Sequence, residues 1–302
     1  MIRLYFLQAF YHLRENPIIT WVSILGTAMA ICMIMVLVIT FQVRLVDCEP
    51  EVNRSRTLYV PYMSVKQKGN SDNESANASM SVRTGRECFR ALSMPEAVTL
   101  ASGVYRVRAS VPSRSKATAD MVQTDEAFWT IFSFHFLSGE AFTKADCDAG
   151  LTRAVLDATT ARRLFGTTDA VGHTVQLDYV DYTVAGVVAD VSMLATAAYA
   201  QIWVPYTAAG AEAMSWQNDT MGPMHAIILA RSSADFDAIR EETELLRKKY
   251  NDGLQDVEVF YRGQPDTQLA YLYRRWYAEP DVPGVMSVSY THLRAPRDIS
   301  GS

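Results

Sequence analysis

Ile18-Ile19-Thr20-Trp21-Val22-Ser23-Ile24-Leu25-Gly26-Thr27-Ala28-Met29-Ala30-Ile31-Cys32-Met33-Ile34-Met35-Val36-Leu37-Val38-Ile39-Thr40-Phe41 decides what kind of protein this chain is. No charge falls anywhere from Asn16 to Val43. A hydrocarbon core of roughly 30 Å needs about 20 apolar residues in a helix. This run supplies them, with Trp21 placed for one interface. A cleaved signal peptide has a shorter apolar region, about 7–15 residues, and a small-x-small cleavage site. Here the run is longer and ends Ile39-Thr40-Phe41-Gln42-Val43-Arg44. A buried helix of a soluble protein is rarely so apolar on every side. Residues 17–43 are therefore read as a retained transmembrane helix. Gly26/Ala30 and Ala28/Cys32 are small-xxx-small pairs. They either let a second helix approach closely in lipid or are ordinary apolar filler.

Toward the N-terminus, Ile2, Leu4, Tyr5, Phe6, Ala9, Phe10 and Leu13 interleave with Arg3, Gln8, His12 and Arg14. The pattern predicts an amphipathic helix lying in the interface over 1–16, broken by Pro17 ahead of the span. Arg3 and Arg14 precede the span, and Arg44, Arg54 and Arg56 follow it, so the positive-inside count is close to a draw. The chain carries −5 overall. The flank before residue 44 and the tail after 286 each hold +1, which leaves −7 on residues 44–286. The expectation is an N-terminus inside and a large acidic domain outside.

Beyond the span there is ample chain for a core: 302 residues in all, 49% hydrophobic and 20% charged, too little charge for a disordered protein. The acidic balance argues against nucleic acid as a partner. Strands are predicted over 57–63, 104–111 and 116–124, with an exposed polar loop or hairpin tip at 67–80. Ser93-Met94-Pro95-Glu96 has the form of a helix start, closed by Gly103. A short helix is expected from Thr124. A strand at 153–156 leads into a helix capped by Asp157 and stopped by Gly166. Further strands are predicted at 174–177, 182–188, 201–205, 225–230 and 257–261. The helix over 232–250 is apolar at Phe236, Ile239, Leu245 and Leu246. The two outer strand–helix–strand blocks, 57–111 and 225–261, read as halves of a ferredoxin-like layer. Residues of about 130–210 then form an inserted mixed α/β subdomain. The expected class is an α+β extracytoplasmic domain preceded by one transmembrane helix.

No residue pattern carries catalysis. The chain lacks Gly-x-x-x-x-Gly-Lys-Ser/Thr, so it is not expected to hydrolyse ATP itself. It also lacks His-Glu-x-x-His, Gly-x-Ser-x-Gly and Cys-x-x-Cys. Histidines 12, 135, 173, 225 and 292 are scattered and read as structural or exposed. Asp146/Asp148 and Glu241/Glu242 read as solvated charge. No catalytic, cofactor-binding or metal site is expected, and no cofactor. Cys32 falls in the span, whereas Cys48, Cys88 and Cys147 would meet an oxidising compartment. Either one disulfide forms, with Cys88–Cys147 the least awkward pair, or all three stay free. An odd count favours free thiols.

Residues 125–206 carry an ordered set of short motifs. They are Asp125-Glu126-Ala127-Phe128-Trp129, then Phe136-Leu137-Ser138-Gly139-Glu140-Ala141-Phe142, then Ala154-Val155-Leu156-Asp157. Next come Ala161-Arg162-Arg163-Leu164-Phe165-Gly166, Ala170-Val171-Gly172 and Tyr182-Thr183-Val184-Ala185-Gly186-Val187-Val188-Ala189-Asp190. The last is Ile202-Trp203-Val204-Pro205-Tyr206. In order and spacing the set resembles the periplasmic core domain of MacB/FtsX-type ABC transporter permeases. Asn16-Pro17 and the first span fit the same family, and the resemblance covers roughly residues 1–286. Glu51 to Tyr59 is similar in wording to permeases of Bacteroidetes-type bacteria. The chain departs from the family at Glu140, where Arg is frequent, at Asp157, where Asn is common, and at Ala170, where Pro is common. Physically, glycines 139, 166, 172 and 186 permit turns or helix ends, and Phe142, Leu164, Phe165 and Val187 fill a core.

The resemblance implies a porter-type layer, a periplasmic core domain over 44–270 and a location in the bacterial cytoplasmic membrane. It also implies a four-span subunit with its large domain between spans one and two, so residues 271–286 would approach a second span. The partners implied are a cytoplasmic ABC ATPase subunit, a second permease subunit in a homo- or heterodimer, the lipid bilayer and a periplasmic partner, with no nucleic acid. Relatives of this kind export substrates, handle lipoproteins or regulate wall hydrolases. Residues 287–302 read as a non-native tail, because Val288-Ser289-Tyr290-Thr291-His292-Leu293-Arg294-Ala295 matches the translation of a transposase-type sequencing adapter. The alternative is a single-span membrane-anchored sensor or ligand-binding protein with a genuine C-terminus.

Overall fold

The computed structural model of the chain describes residues 11, 15, 17–69, 75–112 and 116–276, the side chains of 275 and 276 excepted. The expected tail over 287–302, all but Tyr11 and Glu15 of the expected interfacial helix, and most of the approach at 271–286 lie outside those residues. The described chain divides into two units at Val46/Asp47.

The first unit is helix α1 (Pro17–Leu45), which is long and apolar enough to cross a membrane. At about 1.5 Å per residue it spans about 44 Å, more than a hydrocarbon core. None of its residues is buried. Two of its hydroxyls are satisfied within the helix: Thr27 and Thr40 donate to the carbonyls of Ser23 and Val36, each at 2.7 Å.

The second unit opens with β1 (Thr57–Val60), β2 (Met63–Gln67) and β3 (Ala76–Ala78). Helix α2 (Val82–Gly85) follows and continues through Arg86–Arg90 in a wider, π-helical winding, then β4 (Ala97–Ser102). The chain next builds β5 (Tyr105–Ser110), β6 (Lys116–Thr124), α3 (Phe128–Ile131), β7 (Phe136–Gly139) and α4 (Lys144–Asp148). It goes on through β8 (Arg153–Asp157), α5 (Ala158–Phe165), β9 (Thr174–Leu177), β10 (Val180–Val188) and β11 (Ile202–Pro205). It returns in β12 (Met224–Leu229), α6 (Phe236–Gly253), β13 (Val257–Phe260), β14 (Asp266–Thr267) and α7 (Gln268–Trp276).

Strands β1 and β2 are interrupted only by Pro61 and Tyr62. β14 pairs with β1 and β13 with β2, both antiparallel, while β12 lies between β1 and β4. That is the strand order of a ferredoxin-like layer, with α2 and α6 packed together against it. The remaining strands run β7-β10-β8-β11-β6-β5-β9, and β9 pairs again with β10. Six of the seven strands therefore close on themselves as a small barrel, and closure leaves those strands no free edge. Gly139 and Gly186 face each other where β7 crosses β10. A Cβ on Gly139 would lie 2.2 Å from the Ala185 carbonyl oxygen, and one on Gly186 would lie 2.6 Å from that of Glu140.

Burial alternates along the central strands and divides them among three cores. Leu58, Leu100 and Ile228 point into the core under α2 and α6. Leu156, Ile202 and Val204 fill the barrel with Leu164 and Phe165 of α5. Tyr59, Ile227, Val155 and Trp203 point the other way, into a third core between layer and barrel. Both faces of these strands are thus buried, which explains their near-continuous apolar wording. The third core is largely aromatic: Trp129 stands edge-on to Phe134, Phe142 and Trp203 at centroid distances of 5.0, 5.3 and 6.1 Å.

Several expectations are corrected. Ser93 to Glu96 starts no helix. The helix of the first half is α2, capped by Ser81, whose hydroxyl accepts from the Thr84 N–H at 3.0 Å. Strand β5, expected to complete the ferredoxin-like half, belongs to the barrel, so the insertion takes in chain upstream of residue 130. On α6 the buried stripe runs Phe236, Ile239, Thr243, Leu246 and Tyr250, whereas Leu245 is exposed. The four cysteines are free, as the odd count beyond the span favoured, and Cys88 and Cys147 occupy different cores.

Candidate functional site

Glu51 lies six residues beyond the last residue of α1. Its carboxylate accepts from the Ala197 and Ala198 N–H groups at 2.8 and 3.0 Å and from Arg54 Nε at 2.6 Å. Arg54 in turn donates to the Leu194 carbonyl at 3.1 Å. The side chains of this pair are 1% and 0% exposed, so water does not compete for either charge. A neighbouring tie runs from the Ser133 N–H to the Pro50 carbonyl at 2.9 Å. The incoming chain is thereby fastened to the barrel before the first strand begins.

The outgoing chain is fastened beside it. Arg274 of α7 grips Asp266 of β14 through two guanidinium nitrogens at 2.5 and 3.0 Å, and it also donates to the Arg262 carbonyl and the Tyr62 hydroxyl. Burial works against the charge on Arg274. The bonds from Asp266 outweigh it and hold the guanidinium above its ordinary pKa. β14 pairs with β1, and Tyr271 stacks on Tyr59 with ring centroids 4.6 Å apart. Each end of the domain's chain is therefore held by a buried ion pair, the incoming one on the β10–β11 connection and the outgoing one beside β1.

A third joint holds the layer to the barrel. Asp125, at the end of β6, accepts from Thr99 Oγ1 at 2.7 Å, the Leu100 N–H at 3.1 Å and Arg90 Nη1 at 3.0 Å. Arg90 also reaches Glu126 at 2.9 Å. Burial pushes the Asp125 carboxyl up to about 6 against the pull of Arg90 and these donors. Together the joints tie the incoming chain, the outgoing chain and the layer to the rest of the domain.

The other residues singled out in the sequence are dispersed. His135 and His173 are exposed, His225 is half-buried in β12, and His12 and His292 lie outside the described residues. Among the described residues no three His, Cys, Asp or Glu side chains stand as a metal cluster. Burial pushes both the Cys88 and the Cys147 thiol up to about 12, so they remain protonated at neutral pH. Asp146 and Glu242 are not merely solvated. Asp146 closes a capping box with Thr143, and Glu242 accepts from the Ser93 N–H and hydroxyl at 2.9 and 2.7 Å. Sequence reasoning missed the joints. Arg54 entered only the count of cations after the span, yet it is 2% exposed. The i,i+3 spacing of Glu51 and Arg54 was the available signal. Asp266 and Arg274 had none, since β14 and α7 bring them together across a turn.

With this geometry in place, the chain was compared with known proteins. The family model described as MacB-like periplasmic core domain matches residues 20–246. No curated protein matches. Among solved structures, the extracellular domain of the noncanonic ABC-type transporter YknZ from Gram-positive bacteria is 16% identical, with a TM-score of 0.45, over 66% of this chain and 99% of that one. The periplasmic region of MacB from Actinobacillus actinomycetemcomitans is 15% identical, with a TM-score of 0.49, over 73% of this chain and 94% of that one. A domain assigned to a permease protein from Porphyromonas gingivalis is also 15% identical with a TM-score of 0.49, over 71% and 91%.

Proposed function

Because the chain belongs to the family of MacB-like periplasmic core domains, we propose that it is a permease subunit of an ABC transporter, coupling ATP hydrolysis by a cytoplasmic partner to movement of its periplasmic domain. It is a bacterial inner-membrane protein whose large domain stands in the periplasm after an N-terminal span. In this reading the chain performs no chemistry itself. It pairs with a second permease subunit and two ATPases, and displacement of its spans reaches the periplasm through the domain. The work done there is export, lipoprotein handling or mechanical signalling to a periplasmic partner. The observation that carries the reading is that both chain ends are held by buried ion pairs, the incoming one to the connection between β10 and β11 and the outgoing one to β14, which pairs with β1. A ligand-binding sensor has no need of such a mount, whereas a lever does.

The test is purification of the full-length protein from its native membranes. An ABC ATPase should co-purify, with ATP turnover that disappears when the ATPase's phosphate-loop lysine is replaced. Isolation of the chain alone, with a melting temperature that shifts on adding a small molecule, would favour the sensor. ATP turnover that persists in this chain without the partner would overturn the non-enzymatic assignment.

A further inference from the structure

The segment from Val191 to Ala200 connects β10 to β11 and carries no charged residue. Its backbone is held firmly. The Ala197 and Ala198 N–H groups are bound by Glu51, the Leu194 carbonyl is bound by Arg54, and Ala195, Ala198 and Ala200 are buried. Ser192 is exposed but bonded within the loop, its carbonyl accepting from the Ala195 N–H and its hydroxyl from the Leu194 N–H. Asp190, the acid that precedes the segment in sequence, is engaged with the Thr159 N–H and hydroxyl at 2.7 and 2.8 Å. Yet the two adjacent apolar side chains at the crest point outward: Met193 is 72% exposed and Leu194 44%.

The residues that pin this crest are the first ones after the span. Glu51 follows Leu45 by six positions, and a chain stretches at most about 3.4 Å per residue, so Glu51 stays within about 20 Å of the end of α1. Helix α1 is itself longer than a hydrocarbon core and extends into the headgroup zone. The crest is tied to Glu51 and Arg54 by direct hydrogen bonds.

We propose that Met193 and Leu194 form a lipid-contacting crest that inserts into the headgroup region of the outer leaflet of the membrane α1 crosses. Two apolar side chains would not hold a free domain on a membrane. Here the covalent span supplies the effective concentration, so a weak contact is occupied most of the time. The absence of charge from Val191 to Ala200 suits that environment, where a carboxylate or ammonium would be costly. The crest then serves as a second footing for the domain, fixing its tilt on the membrane where one helix alone leaves it free to swing. The inference needs only the span, not the permease assignment.

The test uses the full chain with Cys32 and Cys48 replaced by serine, leaving the buried Cys88 and Cys147. Met193→Cys is labelled with an environment-sensitive fluorophore and reconstituted in phosphatidylethanolamine–phosphatidylglycerol vesicles, with and without lipid bearing a nitroxide near the top of the acyl chain. Tyr179→Cys is the reference. Tyr179 is exposed at the other end of β10, a nine-residue strand about 27 Å long. The expected result is blue-shifted emission and at least about twofold nitroxide quenching at 193, with neither at 179. Both target side chains are exposed, so the labels leave the fold intact, which circular dichroism checks. Equal emission and equal quenching at the two positions, whether high or low, would overturn the proposal.

Discussion

Asp125 shows how one carboxyl can record the state of a joint. It is buried among Thr99, Leu100 and Arg90, and burial raises its pKa from 3.8 to about 6. A carboxyl with a raised pKa keeps its proton to higher pH in the folded chain than in the unfolded one. The folded state therefore gains stability as pH falls from about 6 toward 4, by about 3 kcal/mol at most, and that gain is absent above pH 6. Asp146 acts in the opposite sense. Its bond from the Thr143 N–H holds its pKa below the ordinary value, so its contribution is present at neutral pH and lost on acidification. Asp125→Asn removes the first effect and leaves the second. It also places amide donors where the Leu100 N–H and Arg90 already donate, at a cost of about 1–3 kcal/mol. Melting curves between pH 4 and 7 should show the variant below wild type at pH 7 and the gap widening as pH falls. A gap independent of pH would mean that Asp125 is ionised throughout.

At the scale of elements, the crossing of β7 over β10 rests on two glycines for different reasons. Gly139 has a φ of +65° and sits against the Ala185 carbonyl, whereas Gly186 has ordinary torsions but no room beside Glu140. Gly139→Ala and Gly186→Ala should each cost about 2–4 kcal/mol. Gly103→Ala meets nothing within 4 Å and should fall within about 0.5 kcal/mol of wild type in the same thermal unfolding assay. If all three behaved alike, close approach would not be what those positions require. The motif glycines and the strands of the barrel were legible because their signals are local: apolar runs bounded by turns, and Asp157 and Gly166 at the ends of α5. Ser93-Met94-Pro95-Glu96 misled for the converse reason. It has the wording of a capping box, but Glu96 pairs with Arg56 at 2.5 Å and Ser93 is satisfied by Glu242 of α6, a residue 149 positions away. The following Ala97-Val98-Thr99-Leu100 is then free to pair with β12. Barrel closure was equally invisible, since β5 meets β9 only at Ala109 and Ser110. The joints were missed because a buried ion pair looks like surface charge until its partners are placed.

For the whole molecule, the question is whether the mount is a separate part or merely the edge of one cooperative body. Arg274 and Asp266 are 5% and 3% exposed at the side chain, so removing one leaves the other charged and dry. Arg274→Met should cost about 3–5 kcal/mol, and pairing it with Asp266→Leu should recover much of that, because two apolar residues of similar volume replace the pair without stranding a charge. Where the loss is felt is the more telling measurement. β14 is two residues long, and α7 is held by Asp266, Arg262, Tyr62 and the stack of Tyr271 on Tyr59. The interior of the barrel, to which α7 contributes nothing, is a core separate from the one that Tyr271 enters. Hydrogen exchange on the full chain in detergent should therefore rise in Arg274→Met over 266–276 and along β1, while β6, β8 and β11 exchange as in wild type. If the chain works in the transporter proposed above, the same variant should leave the ATPase turning over but uncouple it from periplasmic work, since the outgoing chain could then move without carrying β1. Uniform acceleration of exchange across the barrel would show instead that mount and barrel unfold as one. A lever of that kind could not be uncoupled without being unfolded, and activity would then follow stability across every variant of the clamp.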